Sequence, residues 1–441
     1  MIRFYIYAIV FNLGILIFVH ELGHFLAARA SGVTVERFSM GFGPRIIKFT
    51  RGATEYALSL IPFGGYVKMS GAEQPAEGQE AELGPGTFLG KRLGVRAVIV
   101  AAGPTTNLVW AVIVIIGVLM FFGLPTLGEP VLGEVDPSTA AGEAGLRLGD
   151  RIVSVEGTDV ESWDDVLTLI DEDRTGAVDL TIVRGKDPGV TIDVSLPYEP
   201  GEGAGGANLG LTAFAPPVVG GTMTGGLADK AGLRAGDRIV SVDGKDIRTW
   251  GQLSDVIHDS AGVELNIVWE RNGETMSAAV VPEAEEEAVS NTEVRTVGMI
   301  GIMPSWQNKR LGFGEAVGTG LQLTWVNLRA IADFFVALVT HKVSGSMVGG
   351  PIRVVQMASE SARWGASYFF GFMAFMSINL FLINMLPLPI LDGGHLLLMA
   401  LEKVRGRGLT ERQLLVWQQV GLVFFAGLMA FLLVRDAVGL G

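Results

Sequence analysis

The chain has 441 residues, enough for two or three domains. It is 49% apolar and only 18% charged, with a net charge of −13, which points to membrane segments joined to an acidic soluble portion and argues against a nucleic-acid partner. There are no cysteines, so disulfides and thiolate zinc sites are excluded.

The first apolar segment, Phe4 to Ala28, is broken only by Asn12 and by His20-Glu21-Leu22-Gly23-His24. It is long enough to cross a bilayer as a helix. A signal peptide ending at Ala28-Arg29-Ala30 is the weaker reading, because the stretch is too long and carries charge before the cleavage-like site. HExxH on a helix puts two imidazoles one turn apart on one face, where both reach a single Zn²⁺. Glu21 stands about 100° round the helix from His20 and about 60° from His24. That suits it to a metal-bound water rather than to a third ligand position. Zinc brings the pKa of such a water to about 7, and a carboxylate takes its proton as it attacks a carbonyl. A merely structural pair of histidines is the bland alternative, but buried charge inside a span is expensive.

Residues 31–95 are expected to form a cytoplasmic region of short strands and hairpins, punctuated by Gly41-Phe42-Gly43-Pro44 and Pro62-Phe63-Gly64-Gly65-Tyr66-Val67. Gly64 and Gly65 allow a backbone to approach a substrate strand closely. Residues 72–86 read as a mobile loop. The second span is expected within 96–123, opening on Ala102-Gly103-Pro104 and carrying Asn107.

An internal repeat follows. Ala144 to Gly157 recurs as Ala231 to Gly244, and Trp163 matches Trp250 at the same offset. Each copy continues with a helix-like stretch and a strand. The copies are expected to occupy 128–200 and 208–283, separated by a Gly-rich linker at 201–207. The string Glu283 to Glu287 reads as a solvated linker. Residues 311–343 are apolar but scattered with Gln322, Asn327, Arg329, Asp333, His341 and Lys342, a pattern suited to a helix on the membrane surface. His258 and His341 have no ligand partner at motif spacing. The third span is expected within 366–395, ending in Asn384-Met385-Leu386-Pro387-Leu388-Pro389-Ile390-Leu391-Asp392-Gly393-Gly394-His395, and the fourth at 414–435.

Arginine and lysine cluster after the first span and after the third, which places both loops in the cytoplasm and the repeats outside. Antiparallel helices then bring HELGH and Asp392 to a similar depth, nearer the cytoplasm. Asp392, directly after two helix-breaking prolines, is the natural third ligand of an open His₂Asp site, with His395 as its rival.

These motifs resemble the site-2 protease family of intramembrane zinc metalloproteases, closest to the bacterial regulator-of-sigma-E protease branch. The likeness runs nearly end to end: HELGH, GFGP, PFGGYVKM, AAGPTTN, the AGL…GD.I..V.G repeats and NMLPLPILDGG. It implies a multi-pass α-helical membrane protein of four spans, with two inserted α+β PDZ domains and a short β-hairpin region. It implies one zinc ion per chain on His20, His24 and Asp392, with Glu21 as catalytic base. Substrate binding is implied for Asn384, Pro387, Pro389 and the Gly64, Gly65 and Tyr66 loop. Thr106 stands where the family often has a smaller residue. The expected substrate is a single-span membrane protein, such as a pre-trimmed anti-sigma factor or a remnant signal peptide. The expected location is the bacterial inner membrane, with periplasmic PDZ domains acting chiefly as a size filter and the active site towards the cytoplasm. Two other readings compete: a membrane-anchored PDZ scaffold without proteolysis, and a metal transporter, which leaves Glu21 unexplained.

Overall fold

The computed structural model describes residues 2–72, 84–170, 176–185, 189–198, 209–288, 294–340, 349–407 and 410–438. The chain divides into two compact units, Met1–Phe122 with Leu311–Gly441, and Gly123–Arg310.

The first unit opens with helix α1 (Ile2–Ala30), which carries HELGH in its last third. Gly32, at φ +67°, turns the chain out of the helix, and Val33 donates its amide back to Ala28. Strands β1 (Val35–Arg51) and β2 (Thr54–Met69) then form one small sheet in which each is bent back on itself: residues 37–40 lie between 55–58 and 65–68, and 45–51 lies along the other side of 54–59. Its base is pinned to α1 by a cluster of Phe25, Ala28, Val33, Val35, Phe38 and Ile99. The short strands expected here are segments of these two, and the chain reverses between them at both glycine motifs. Gly41, Gly43 and Gly64, at φ +84°, +83° and +102°, stand at those reversals. Helix α2 (Leu93–Phe121) follows and contains Pro104.

The second unit is built from β3 (Leu124–Thr126), α3 (Ala140–Glu143), β4 (Arg151–Val155), β5 (Thr158–Asp159), α4 (Trp163–Leu169), β6 (Gly176–Arg184) and β7 (Val190–Tyr198), followed by a second set of the same kind. That set is β8 (Val219–Thr222), α5 (Leu227–Lys230), β9 (Arg238–Val242), β10 (Lys245–Asp246), α6 (Trp250–His258), β11 (Leu265–Arg271) and β12 (Glu274–Val280). The sheets have one topology, β5-β4-β6-β7 and β10-β9-β11-β12, antiparallel throughout. The repeated motif explains this. In each copy the Asp of GD is buried and held by an Arg from the third strand: Asp150 by Arg184 at 2.7 Å, and Asp237 by Arg271 at 2.6 Å. The same Arg also donates to the carbonyl of the glycine in AGL, Gly145 or Gly232. His258 closes α6, its Nε2 within 3.3 Å of the Ser254 hydroxyl.

Two differences from the expected layout concern strands that return from far along the chain. Leu209 and Leu211 pack into the core of the first copy, so a boundary at 208 falls short of its last segment. Ile300 and Ile302 do the same for the second, where β15 (Ile302–Pro304) pairs with β8. The acidic string at 283 is not a linker either. It forms β13 (Glu283–Ala288), paired with β14 (Val294–Met299), because backbone pairing does not depend on the side chains' charge. Strand β16 (Gln307–Lys309) pairs with β3, so the unit's entry and exit lie side by side. The Gly-rich linker at 201–207 and the loop at 73–83 lie outside the described residues.

The chain returns to the first unit through α7 (Phe313–Val339), α8 (Pro351–Trp364), α9 (Ala366–Met385), α10 (Asp392–Arg405) and α11 (Glu411–Val438). Among the described residues, 5 helices are long and apolar enough to cross a membrane: α1, α2, α7, α9 and α11. One more qualifies by length and composition than the four expected, α7, and its polar groups bond within its own turns. Asn327 donates to the Leu323 carbonyl at 2.8 Å, Thr324 to Gly320 at 2.7 Å, and Arg329 pairs with Asp333. His341 and Lys342 lie outside the described residues. Asp436 at the end of α11 accepts the amides of Gly350, Ile352 and Arg353, a remote cap for α8.

The buried Asp–Arg clamps carry a prediction. Arg271→Met leaves the Asp237 carboxylate buried without its partner, a loss of about 3 kcal/mol. Hydrogen exchange on the whole chain should show protection of the second copy falling on the order of 100-fold while the first copy is unchanged. Equal loss in both copies would refute the local role of the clamp.

Candidate metal centre

His20 and His24 lie one turn apart on α1, and Asp392 is the first residue of α10. Their donor atoms converge. His20 Nε2 is 3.2 Å from Asp392 Oδ2, His24 Nε2 is 3.5 Å from Asp392 Oδ1, and the two Nε2 atoms are 3.2 Å apart. Tetrahedral zinc with ligand bonds near 2.0–2.1 Å needs donors about 3.3 Å apart. The three edges fit that face, and these residues are the group of metal-ligating side chains found among the described residues. His395 is exposed and outside the group.

The positions are fixed from behind. His24 Nδ1 donates to the Ile99 carbonyl at 2.9 Å, which leaves Nε2 its lone pair. Ile99 is near Pro104, which offers no amide to the turn before it. Thr105 and Thr106 occupy carbonyls of that same turn with their hydroxyls, at 2.7 and 2.6 Å. The approach of α2 to α1 is very close. A Cβ at Gly103 would fall on the His24 ring, and one at Gly23 would fall on Thr106 Oγ1 and the Ala102 carbonyl. Thr106 thus packs directly against HELGH.

Asp392 is aimed by the broken chain before it. Helix α9 ends at Met385, and the turn runs through Pro387 and Pro389 to Ile390. Ile390 has φ +81°, a strained conformation for a β-branched residue. Gly393 and Gly394 let α10 start directly against the carbonyls of Met385, Leu386 and Leu388. Arg96 at the start of α2 binds Glu402 of α10 at 2.6 Å and so holds the helix that presents Asp392.

The sheet of β1 and β2 reaches the same place. A Cβ at Gly65 would come within 2.9 Å of Glu21 Cγ and 3.2 Å of Ile17 Cγ2, so β2 crosses α1 at the acid of HELGH. Gly64, at φ +102°, lies against the Phe42 ring, and Tyr66 stacks on that ring with centroids 6.2 Å apart. Pro389 packs on Gly421 of α11, while Pro387 is exposed and Asn384 is half-buried in the last turn of α9. Sequence reasoning noted Asn107 but gave it no role. It is fully buried, with Nδ2 3.3 Å from His20 Nδ1. Its signal was a carboxamide in an apolar span.

The model of peptidase family M50 matches residues 8–428. The chain belongs to this family, the site-2 proteases. The regulator of sigma-E protease of Escherichia coli is 34% identical over 441 residues, covering 96% of each chain. A Yersinia pestis protein named protease RseP is 35% identical over 97% of each chain. A Neisseria meningitidis protein named as a zinc metalloprotease is 36% identical over 97% of this chain and 96% of its own. This M50 protein is an intramembrane zinc metalloprotease of the site-2 type, and the donor set of His20, His24 and Asp392 suits that metal.

The close packing yields a prediction. Gly103→Ala should push the His24 ring off the Ile99 carbonyl and cut cleavage of a membrane-protein reporter by more than about 10-fold, the usual scale for a disturbed ligand-orienting contact. Gly117→Ala, with open space around the added carbon, is the control and should keep full activity. Equal rates in the two variants would refute the packing argument.

Proposed function

We propose that this protease cuts single-span membrane proteins close to their cytoplasmic ends, with one zinc ion held by His20, His24 and Asp392 and with Glu21 as general base. The observation that carries the reading is the triangle of donor atoms 3.2, 3.2 and 3.5 Å apart, flanked by Glu21 and by strand β2. Zinc supplies Lewis acidity, which makes water a nucleophile at neutral pH and polarises a peptide carbonyl. Glu21 takes the proton of the attacking water and delivers it to the leaving amine.

A helical substrate has its carbonyls tied up in i→i−4 bonds and must become extended before attack. Strand β2 supports that step. Its last residues, 65–69, pair only with 35–40 among the described residues, so their outer edge is open to a further strand beside Glu21. Gly64, Gly65 and Tyr66 hold the substrate backbone there, and Asn384, Pro387 and Pro389 guide the unwinding end from the other side. The relatives named for sigma-E regulation favour a pre-trimmed anti-sigma factor as substrate. Remnant signal peptides are a second source of the same chemistry.

The reading includes four crossings rather than five. His20 lies near the cytoplasmic end of an inward-running α1, so Asp392 must lie at the inner end of α9. If α7 also crossed, α9 would run outward and Asp392 would sit at the opposite face. The Arg96–Glu402 pair supports the same parity, since Arg96 follows the cytoplasmic loop. Helix α7 then lies along the outer surface of the inner membrane, and the two repeats are periplasmic PDZ domains.

The test is cleavage of a tagged single-span reporter in membranes, with zinc content measured on each purified variant. Glu21→Gln should keep zinc and lose cleavage by at least about 1,000-fold, on the scale of removing a general base. Asp392→Asn should lose both. Cleavage retained by Glu21→Gln would sink the assignment of the base, and full zinc in Asp392→Asn would sink the third ligand.

A further inference from the structure

We infer that Asn107 is a positioning residue for the metal centre: its side-chain oxygen accepts the Nδ1 proton of His20 and thereby keeps the Nε2 lone pair directed at zinc. This rests on the reading of His20 as a zinc ligand.

A neutral imidazole carries one N–H. When one ring nitrogen binds a metal, the other must hold the proton, and in a buried site that proton needs an acceptor. His24 has one in the Ile99 carbonyl at 2.9 Å. For His20 the group beside Nδ1 is the Asn107 carboxamide, at 3.3 Å and completely buried. As the amide stands, its NH₂ faces the ring while Oδ1 is buried without a hydrogen-bond partner. An NH₂ facing Nδ1 makes that nitrogen an acceptor and puts the ring proton on Nε2. There it points among His24 Nε2 and Asp392 Oδ2, each 3.2 Å away.

Metal at Nε2 reverses the requirement. The only acceptor in the Asn107 side chain is Oδ1, and half a turn of the carboxamide gives that oxygen the donor it lacks. The backbone of Asn107 does not have to move for this. Its carbonyl accepts the hydroxyl of the buried Ser377 on α9 at 2.7 Å, which fixes the residue between the helix of the two histidines and the helix that leads to Asp392.

The experiment measures zinc affinity of the full-length chain in detergent by competition with a chromophoric chelator, alongside melting temperature. Asn107→Leu keeps the volume and removes the acceptor. It should weaken zinc binding 10- to 100-fold, the scale of losing a partner of a ligating histidine. Asn107→Asp restores an acceptor for the Nδ1 proton and should bind zinc within a few-fold of the wild type. Wild-type affinity in Asn107→Leu would overturn the inference. So would equal weakening in Asn107→Leu and Asn107→Asp, because a packing role needs only the shape. If Asn107→Leu melts lower than the wild type, Asn107→Ala replaces it, since it adds no atoms. His20→Ala separates the two levels of the argument. Wild-type zinc affinity in that variant would remove His20 as a ligand, and this inference with it.

Discussion

In hydrocarbon an imidazole or a carboxylate has no water to turn to, so each must find its partners inside the protein. The membrane unit is arranged around that constraint. Two imidazoles and the Asp392 carboxylate satisfy one another at the metal centre, and the groups behind them take up what remains: the Ile99 carbonyl, the Asn107 amide and the Ser377 hydroxyl. Hydroxyls elsewhere in the bundle bond back to carbonyls one turn earlier, as Thr105, Thr324 and Ser359 do. Several of the buried polar atoms without a hydrogen-bond partner lie on the helices of this centre, among them Asn107 Oδ1 and both polar atoms of Asn12. Such orphans are costly in a bilayer, which makes them informative about where the protein is built for something other than stability.

Close approach is the second half of the arrangement, and it depends on atoms that are missing. Gly23 and Gly103 let α1 and α2 touch backbone to ring, Gly65 lets β2 lie on Glu21, and Gly393 and Gly394 let α10 begin directly against the end of α9. Each glycine costs helix or strand propensity. Together with the left-handed Ile390, they concentrate unfavourable local structure at the point where Asp392 must be aimed. The surrounding contacts, such as Arg96 to Glu402 and Pro389 on Gly421, are what hold that turn in place.

The parts legible in the sequence were those with a fixed period or strong punctuation. HELGH declared itself because an i, i+4 pair on a helix has one geometry, and Asp392 because two prolines end the helix just before it. The repeat announced the paired sheets, since the glycines and the Asp of its motif do the same work in both copies. What stayed hidden depends on chain segments meeting across long separations. No pattern shows that Leu209 or Ile300 returns to an earlier core, or that an acidic string becomes a strand once Val294 to Met299 lies beside it. The role of Ile99 was invisible for another reason: a backbone carbonyl has no sequence signature at all.

The meeting of Gly65 with Glu21 links the fold to the chemistry. A helix offers no edge to an extended peptide, so an enzyme made only of helices would have nothing to hold a substrate once it unwinds. The last residues of β2 offer such an edge inside the membrane unit, beside Glu21. A strand advances about 3.3 Å per residue and alternates its faces. A peptide paired to β2 is therefore presented to Glu21 one peptide bond at a time, with its neighbours turned away. Any sequence able to leave its helix at that depth can meet the requirement, because pairing uses the backbone. An edge that pairs through the backbone selects by ease of unwinding rather than by fit to a side-chain pocket.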